Sequence, residues 1–203
     1  MDIIAITISV NYSDILQYML HQNSRFLYKW YIITAPQDIK TINLIENLGK
    51  DNIYILIYNG FYINGSTFNY GGARLFAQQY IDKYYTSANI LFLDSDIYLP
   101  DNFMEKLPKY IENNKIYGVL ERLDYWTVDD YTNNINLHVY NWGNKIVGFF
   151  QLYKQNKSYK YKNSYNCSES DLHFKNSFPK HELLNMSVKH LGRDGVNWNG
   201  RIL

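Results

Sequence analysis

Apolar positions along the chain switch between short continuous runs and longer stretches of helical period. Residues 3–10 are apolar and β-branched, which predicts a first strand buried on both faces. Asn11-Tyr12-Ser13-Asp14 has turn and cap chemistry, and Ile15, Leu16, Met19 and Leu20 follow at the spacing of one helix face. Residues 29–34 form a second strand run, closed by Pro36. Asp38 is placed to cap a helix whose apolar face is Ile42, Ile45 and Leu48, and Gly49 ends it. A third strand covers 53–58. After a loop, Phe68-Asn69-Tyr70-Gly71-Gly72-Ala73-Arg74 opens a helix with Ala73, Phe76, Ala77, Tyr80, Ile81 and Tyr84 on one face. Residues 90–93 then read as another buried strand. Such alternation predicts an α/β fold with a mostly parallel central sheet and helices on both faces.

The second half is less regular. Asn102 and Glu105 have capping-box spacing, and Pro108 shortens the helix they begin. Strands are expected over 116–120, 146–153 and 185–190, and a helix over 171–178. Residues 121–144 read as irregular with short strands, and 155–168 as a polar loop rich in Lys and Tyr. No repeat and no linker divides the 203 residues, so a single domain with a sizeable core is expected.

Charge and cysteine content narrow the function. Lys plus Arg number 20 and Asp plus Glu 19, which leaves no electrostatic footprint for nucleic acid. The single cysteine, Cys167, excludes an internal disulfide and fits a reducing, cytoplasmic setting. Asp2 precedes the first apolar run without a basic segment, unlike a signal peptide, and no run approaches a membrane span.

The chemistry concentrates at Asp94-Ser95-Asp96. An apolar strand that ends in two carboxylates puts them at its carboxyl end, where open α/β sheets bind ligands. Two hard anionic oxygens there suit Mg²⁺ or Mn²⁺; the alternative is a turn that caps the next segment. Gly71 and Gly72 allow close approach to a helix N-terminus, and Arg74 in its first turn makes it a candidate anion site. A solvated arginine is the competing reading.

Several elements together resemble one family: Asn69-Tyr70-Gly71-Gly72-Ala73-Arg74, the Asp94-Ser95-Asp96 strand end, Gly148-Phe149-Phe150-Gln151, Glu169-Ser170-Asp171-Leu172 and His190-Leu191-Gly192. This order resembles the GT-A glycosyltransferases, in particular small family-2-like enzymes, including those of large DNA viruses that glycosylate capsid proteins. The resemblance implies one GT-A domain with a small antiparallel extension, residues 1–100 as nucleotide-binding half and 101–203 as acceptor-binding half. It implies a nucleotide-sugar donor, UDP-linked by preference, and a glycan acceptor. Val10, Asn11, Tyr12 and Asp38 would border base and ribose. Asn69, Arg74, Ser95 and Arg193 would complete the donor site, with Arg74 at the diphosphate or ribose and Arg193 on a phosphate oxygen. Asp96 would bind the metal, His190 would add a ligand, and Asp94 would hold the ribose or reach the metal through water. An imidazole ligand favours Mn²⁺ over Mg²⁺.

Inverting members carry Glu-Asp-x-Asp at the acceptor site. Aligning on Asp171-Leu172 places Ser168-Glu169 at the first pair, a departure that leaves Glu169 or Asp171 as the base, with Glu169 preferred. Three other readings compete. A haloacid-dehalogenase phosphohydrolase puts its Asp-x-Asp on the first strand, and a nucleotidyltransferase carries a Gly-rich basic loop after it. The third is a non-catalytic sugar-binding module.

Overall fold

The computed structural model describes residues 1–62, 68–141, 143, 145–164 and 167–192 (of 167 and 168, the backbone). The elements run β1 (Ile3–Ile8), α1 (Ser13–Ser24), β2 (Lys29–Thr34), α2 (Ile39–Leu48), β3 (Ile53–Ile57), α3 (Tyr70–Tyr84), β4 (Asn89–Leu93) and β5 (Ile97–Tyr98). They continue α4 (Phe103–Lys106), β6 (Lys115–Tyr125), α5 (Val128–Asn133), β7 (His138–Asn141), β8 (Phe150–Lys154), α6 (Cys167–Asn176) and β9 (Lys180–Leu191). One sheet holds every strand in the order β3-β2-β1-β4-β8-β6-β9-β5, with β7 paired to β6. Strands β3, β2, β1 and β4 are parallel. Strand β8 joins β4 antiparallel, while β9 lies parallel to β6. The expected α/β class, parallel sheet and antiparallel extension are all present.

The continuous apolar runs of β1, β2 and β4 are buried on both faces because each face meets different helices. Ile3 and Ala5 of β1 pack with Ile15, Leu16, Met19 and Leu20 of α1 and Ile45 of α2. Ile4, Ile6 and Ile8 point the other way, to Ala73, Ala77 and Ile81 of α3. Thr7 breaks the apolar run but is satisfied. Its hydroxyl donates to the Leu93 carbonyl at 2.7 Å and accepts from the buried Trp30 indole at 2.8 Å. None of the described helices is long and apolar enough to cross a membrane.

Two strands exceed their sequence-based bounds. β6 continues through Tyr125 instead of ending at 120; beyond it β7 is a short strand of the kind expected in 121–144, and α5 is a helix that was not expected. Its extension carries Arg122 and Asp124 two residues apart on one strand face. They bind each other bidentately, at 2.7 and 2.9 Å, so the strand buries charge in neutral pairs. β9 begins at Lys180 instead of 185, because its first, exposed residues pair with Lys115 to Gly118 of β6.

Asp38 fastens the two loops at the top of the parallel half. One carboxylate oxygen accepts the Asn11 amide at 2.8 Å and the Thr34 hydroxyl at 2.9 Å, and the other caps α2 through the Thr41 amide at 3.2 Å. Asn11 sits at φ 63, in the left-handed region that asparagine tolerates better than most residues. Asp38→Ala loses the cap and leaves the Asn11 amide without that acceptor. We expect a loss of about 2 kcal/mol, read as a lower urea midpoint at unchanged slope.

Candidate active site

The carboxyl end of β4 delivers Asp94-Ser95-Asp96 into a tight connection to β5. The Asp94 amide bonds to the Phe149 carbonyl at 3.0 Å, which pins the turn against the segment leading into β8. The two carboxylates then face different neighbours. Asp94 accepts the Tyr70 hydroxyl at 2.6 Å and Arg74 Nη2 at 3.0 Å. Burial raises its pKa, and the Arg74 charge opposes that rise.

Arg74 is the centre of a buried polar cluster. It is 1% exposed, so the solvated alternative does not hold. Asn69 caps α3 through the Gly72 amide at 2.9 Å and sets the first turn that carries the arginine. Nη1 donates to Asp171 at 2.7 Å and to the Tyr161 hydroxyl; Nη2 also reaches the Tyr70 hydroxyl and the Gly148 carbonyl. The guanidinium lies over the rings of Tyr70, Phe92 and Tyr161 at 4.2, 4.9 and 5.0 Å. One cation thus holds two carboxylates, Asp94 and Asp171, from different halves of the chain.

Asp171 comes from α6, which packs on the start of α3 where Gly71 meets Ser170 and the Lys162 carbonyl. Its pKa is pushed up to about 6 by burial, partly offset by Arg74. The Tyr161 hydroxyl lies 2.9 Å from it and also within reach of Gln151. On the other side, a Cβ on Gly148 would stand 1.8 Å from an Asp171 oxygen, so only glycine admits this carboxylate. Glu169 points elsewhere: its side chain is 58% exposed and lies 3.5 Å from His173 one turn on.

Asp96 meets His190. β9 runs between β6 and β5, and its register sets His190 beside Ile97 and Asp124. The Leu191 amide closes on the Asp96 carbonyl at 2.9 Å. His190 Nε2 is 3.3 Å from Asp96 Oδ2, and Nδ1 is 3.2 Å from Asp124 Oδ1. The second contact is at ion-pair distance but bent out of hydrogen-bond alignment, and Nδ1 has no hydrogen-bond partner among the described residues. Burial opposes a charge on the ring, but Asp96 and Asp124 outweigh it and hold the pKa up at about 9.

Of the residues singled out in the sequence, the structure gathers Asp94, Arg74 and Asp171 in one cluster and Asp96 with His190 in a second. Ser95 is buried between them. Val10 and Tyr12 are buried, and Asn11 is exposed enough to border a ligand. Asp38 and Asn69 serve as helix caps. Arg193 lies outside the described residues. Tyr161, Arg122 and Asp124 went unremarked in the sequence, and Tyr70 and Gln151 were named there only within motifs, without a role. Two signals were there: Tyr70 stands one turn before Arg74, and Arg122 and Asp124 are opposite charges on one strand face.

Among the described residues, no group of three or more His, Cys, Asp or Glu side chains is gathered to hold a metal ion. The pair Asp96 and His190 still fits a first-row divalent cation chemically, since a carboxylate oxygen and an imidazole nitrogen suit such ions. Cations at phosphate sites take few protein ligands and fill the rest of their shell from phosphate and water.

No family model and no curated protein matches the chain. Matching solved structures include the galactosyltransferase LgtC in complex with donor and acceptor sugar analogues, at 15% identity and TM-score 0.40, over 58% of this chain and 46% of that one. An active-site mutant of LgtC matches at 14% identity and TM-score 0.39, over the same shares. The match thus spans less than half the length of those chains, and a likeness this slight carries no inference about chemistry.

Proposed function

We propose that this protein is a metal-dependent glycosyltransferase that moves a sugar from a nucleotide-sugar, a UDP-sugar first among candidates, to a glycan hydroxyl with inversion. The observation that carries the reading is the Asp-x-Asp turn at the carboxyl end of a parallel strand, met by His190 at 3.3 Å from Asp96. Asp96 and His190 would hold Mn²⁺ or Mg²⁺. When bound, that ion neutralises charge that develops on a leaving diphosphate. Asp94 would hold the donor ribose, at the end of the strand beside the one that leads into Val10, Asn11 and Tyr12. Asp171 is the proposed base. Its pKa of about 6 leaves it ionised at neutral pH and still close enough to that pH to accept a proton effectively. This prefers Asp171 to Glu169 for the base. Arg74 holds Asp171 in position from the cluster side.

Thermal shift with UDP, with and without Mn²⁺, tests the metal half of this reading. Ligand that binds only the folded state must stabilise it, by about 2.7 kcal/mol at a hundredfold excess over Kd. We expect Mn²⁺ to enlarge the UDP shift in the wild type and chelation to reverse it. Asp96→Ala should lose the Mn²⁺-dependent part and keep its unliganded cooperativity. An Mn²⁺-dependent UDP shift that survives in Asp96→Ala would discard the site.

A further inference from the structure

On the metal reading just given, we infer that Asp124 is a positioning residue for the cation site, acting through His190. A histidine that binds a cation through Nε2 needs that nitrogen bare, so the ring proton sits on Nδ1. The group opposite Nδ1 then fixes both the tautomer and the ring angle. Here that group is Asp124, 3.2 Å away and fully buried. Its place is set by backbone as well as side chain. Asp124 and His190 are direct neighbours in the parallel β6–β9 ladder, and the Gly192 amide closes on the Tyr125 carbonyl at 2.8 Å just beyond them.

Asp124 is itself held. Arg122 grips both of its oxygens, at 2.7 and 2.9 Å, and the guanidinium is boxed by the rings of Phe149 and Tyr140 at 5.2 and 5.5 Å. The chain of contacts runs Arg122, Asp124, His190, Asp96, from β6 through β9 to the turn before β5. A purely structural Arg122–Asp124 pair would satisfy its charges without a histidine against one of the shared oxygens. Oδ1 accepts Arg122 Nε at 2.7 Å and faces His190 Nδ1 at 3.2 Å.

Two variants test this. Asp124→Asn keeps the shape and removes the charge. The double variant Arg122→Met/Asp124→Leu replaces the whole buried pair by apolar groups, which avoids an unpaired arginine and is often tolerated. Mn²⁺ affinity is measured by electron paramagnetic resonance in saturating UDP, and UDP affinity is measured without metal. Both variants should bind Mn²⁺ about 10- to 100-fold more weakly and bind metal-free UDP within about twofold of wild type. Nitrogen-15 NMR of the Mg²⁺–UDP complex should find the His190 proton on Nδ1 in the wild type. Wild-type Mn²⁺ affinity in either variant, or a proton on Nε2 in the wild-type complex, would overturn the role of Asp124 alone. A wild type that takes up no Mn²⁺ with UDP would overturn the metal reading together with it.

Discussion

Asp171→Asn should lower sugar transfer by about two to four orders of magnitude, with donor and Mn²⁺ binding near wild type. An acceptor hydroxyl is a poor nucleophile until a placed carboxylate takes its proton, and an amide cannot do so. Glu169→Gln should transfer nearly as well as wild type, since that side chain is exposed and turned to His173. The pH profile gives a second readout. Burial raises the Asp171 pKa from 3.8 to about 6. Below that value the base is protonated and idle, so wild-type transfer should climb as pH rises through about 6. The same limb should vanish in Asp171→Asn. Product NMR from an α-linked donor should show a β-linkage. Near-normal transfer by Asp171→Asn would remove Asp171 from the chemistry.

The stability sign for Asp171 runs the other way from that of a salt-bridged surface acid. Its folded pKa is higher than its unfolded value, so the folded state binds the proton more tightly. Stability from this group is fully present below about 3.8 and is lost as pH rises through about 6.

Arg74→Met should be the most destabilising single change in the cluster, by about 3–5 kcal/mol. Arg74 is the cation for Asp94 and Asp171 together, at 3.0 and 2.7 Å, and methionine leaves the largely buried Asp171 and the half-buried Asp94 without it. Arg74→Lys should recover little, because one ammonium cannot reproduce a planar fork that reaches Asp94, Asp171 and the Gly148 carbonyl at once. The deficit should shrink in acid. Without the guanidinium both carboxylates hold protons more readily, and as neutral acids they tolerate burial. Urea midpoints of Arg74→Met at pH 5 and pH 8 would show this. Equal deficits at both pH values would mean that the arginine acts by packing alone.

The parallel half of the fold was legible because β1, β2 and β4 are buried on both faces, and nothing but unbroken apolar runs such as 90–93 satisfies that. The mixed half hides its signal. The end of β6 carries Arg122 and Asp124, which read as irregular until the ladder sets them beside Val188 and His190 of β9. Asp94, Asp96 and His190 stood out through their neighbours in sequence. The Arg74 cluster did not, because the partners that define it lie 20 and 97 residues away. Alignment on Asp171-Leu172 alone preferred Glu169 as the base, and the sequence held nothing to reverse that. Both acids sit in one polar stretch, and only the packing of α6 on α3 sends one inward and leaves the other in water.

The parallel pairing of β6 with β9 also dictates an order of assembly. Parallel neighbours need a crossover, and here β7, β8 and α6 all lie within it. Strands β1, β2 and β3 close through short connections, while the β5–β9 pairing that brings Asp96 to His190 joins segments further apart in sequence than any other pairing among the described strands, the slow kind of step in folding. Val10, Asn11, Tyr12 and Asp38 belong to the early region, and His190 arrives with the last strand. During refolding, affinity for the bare nucleotide should therefore return on a faster clock than affinity for the metal.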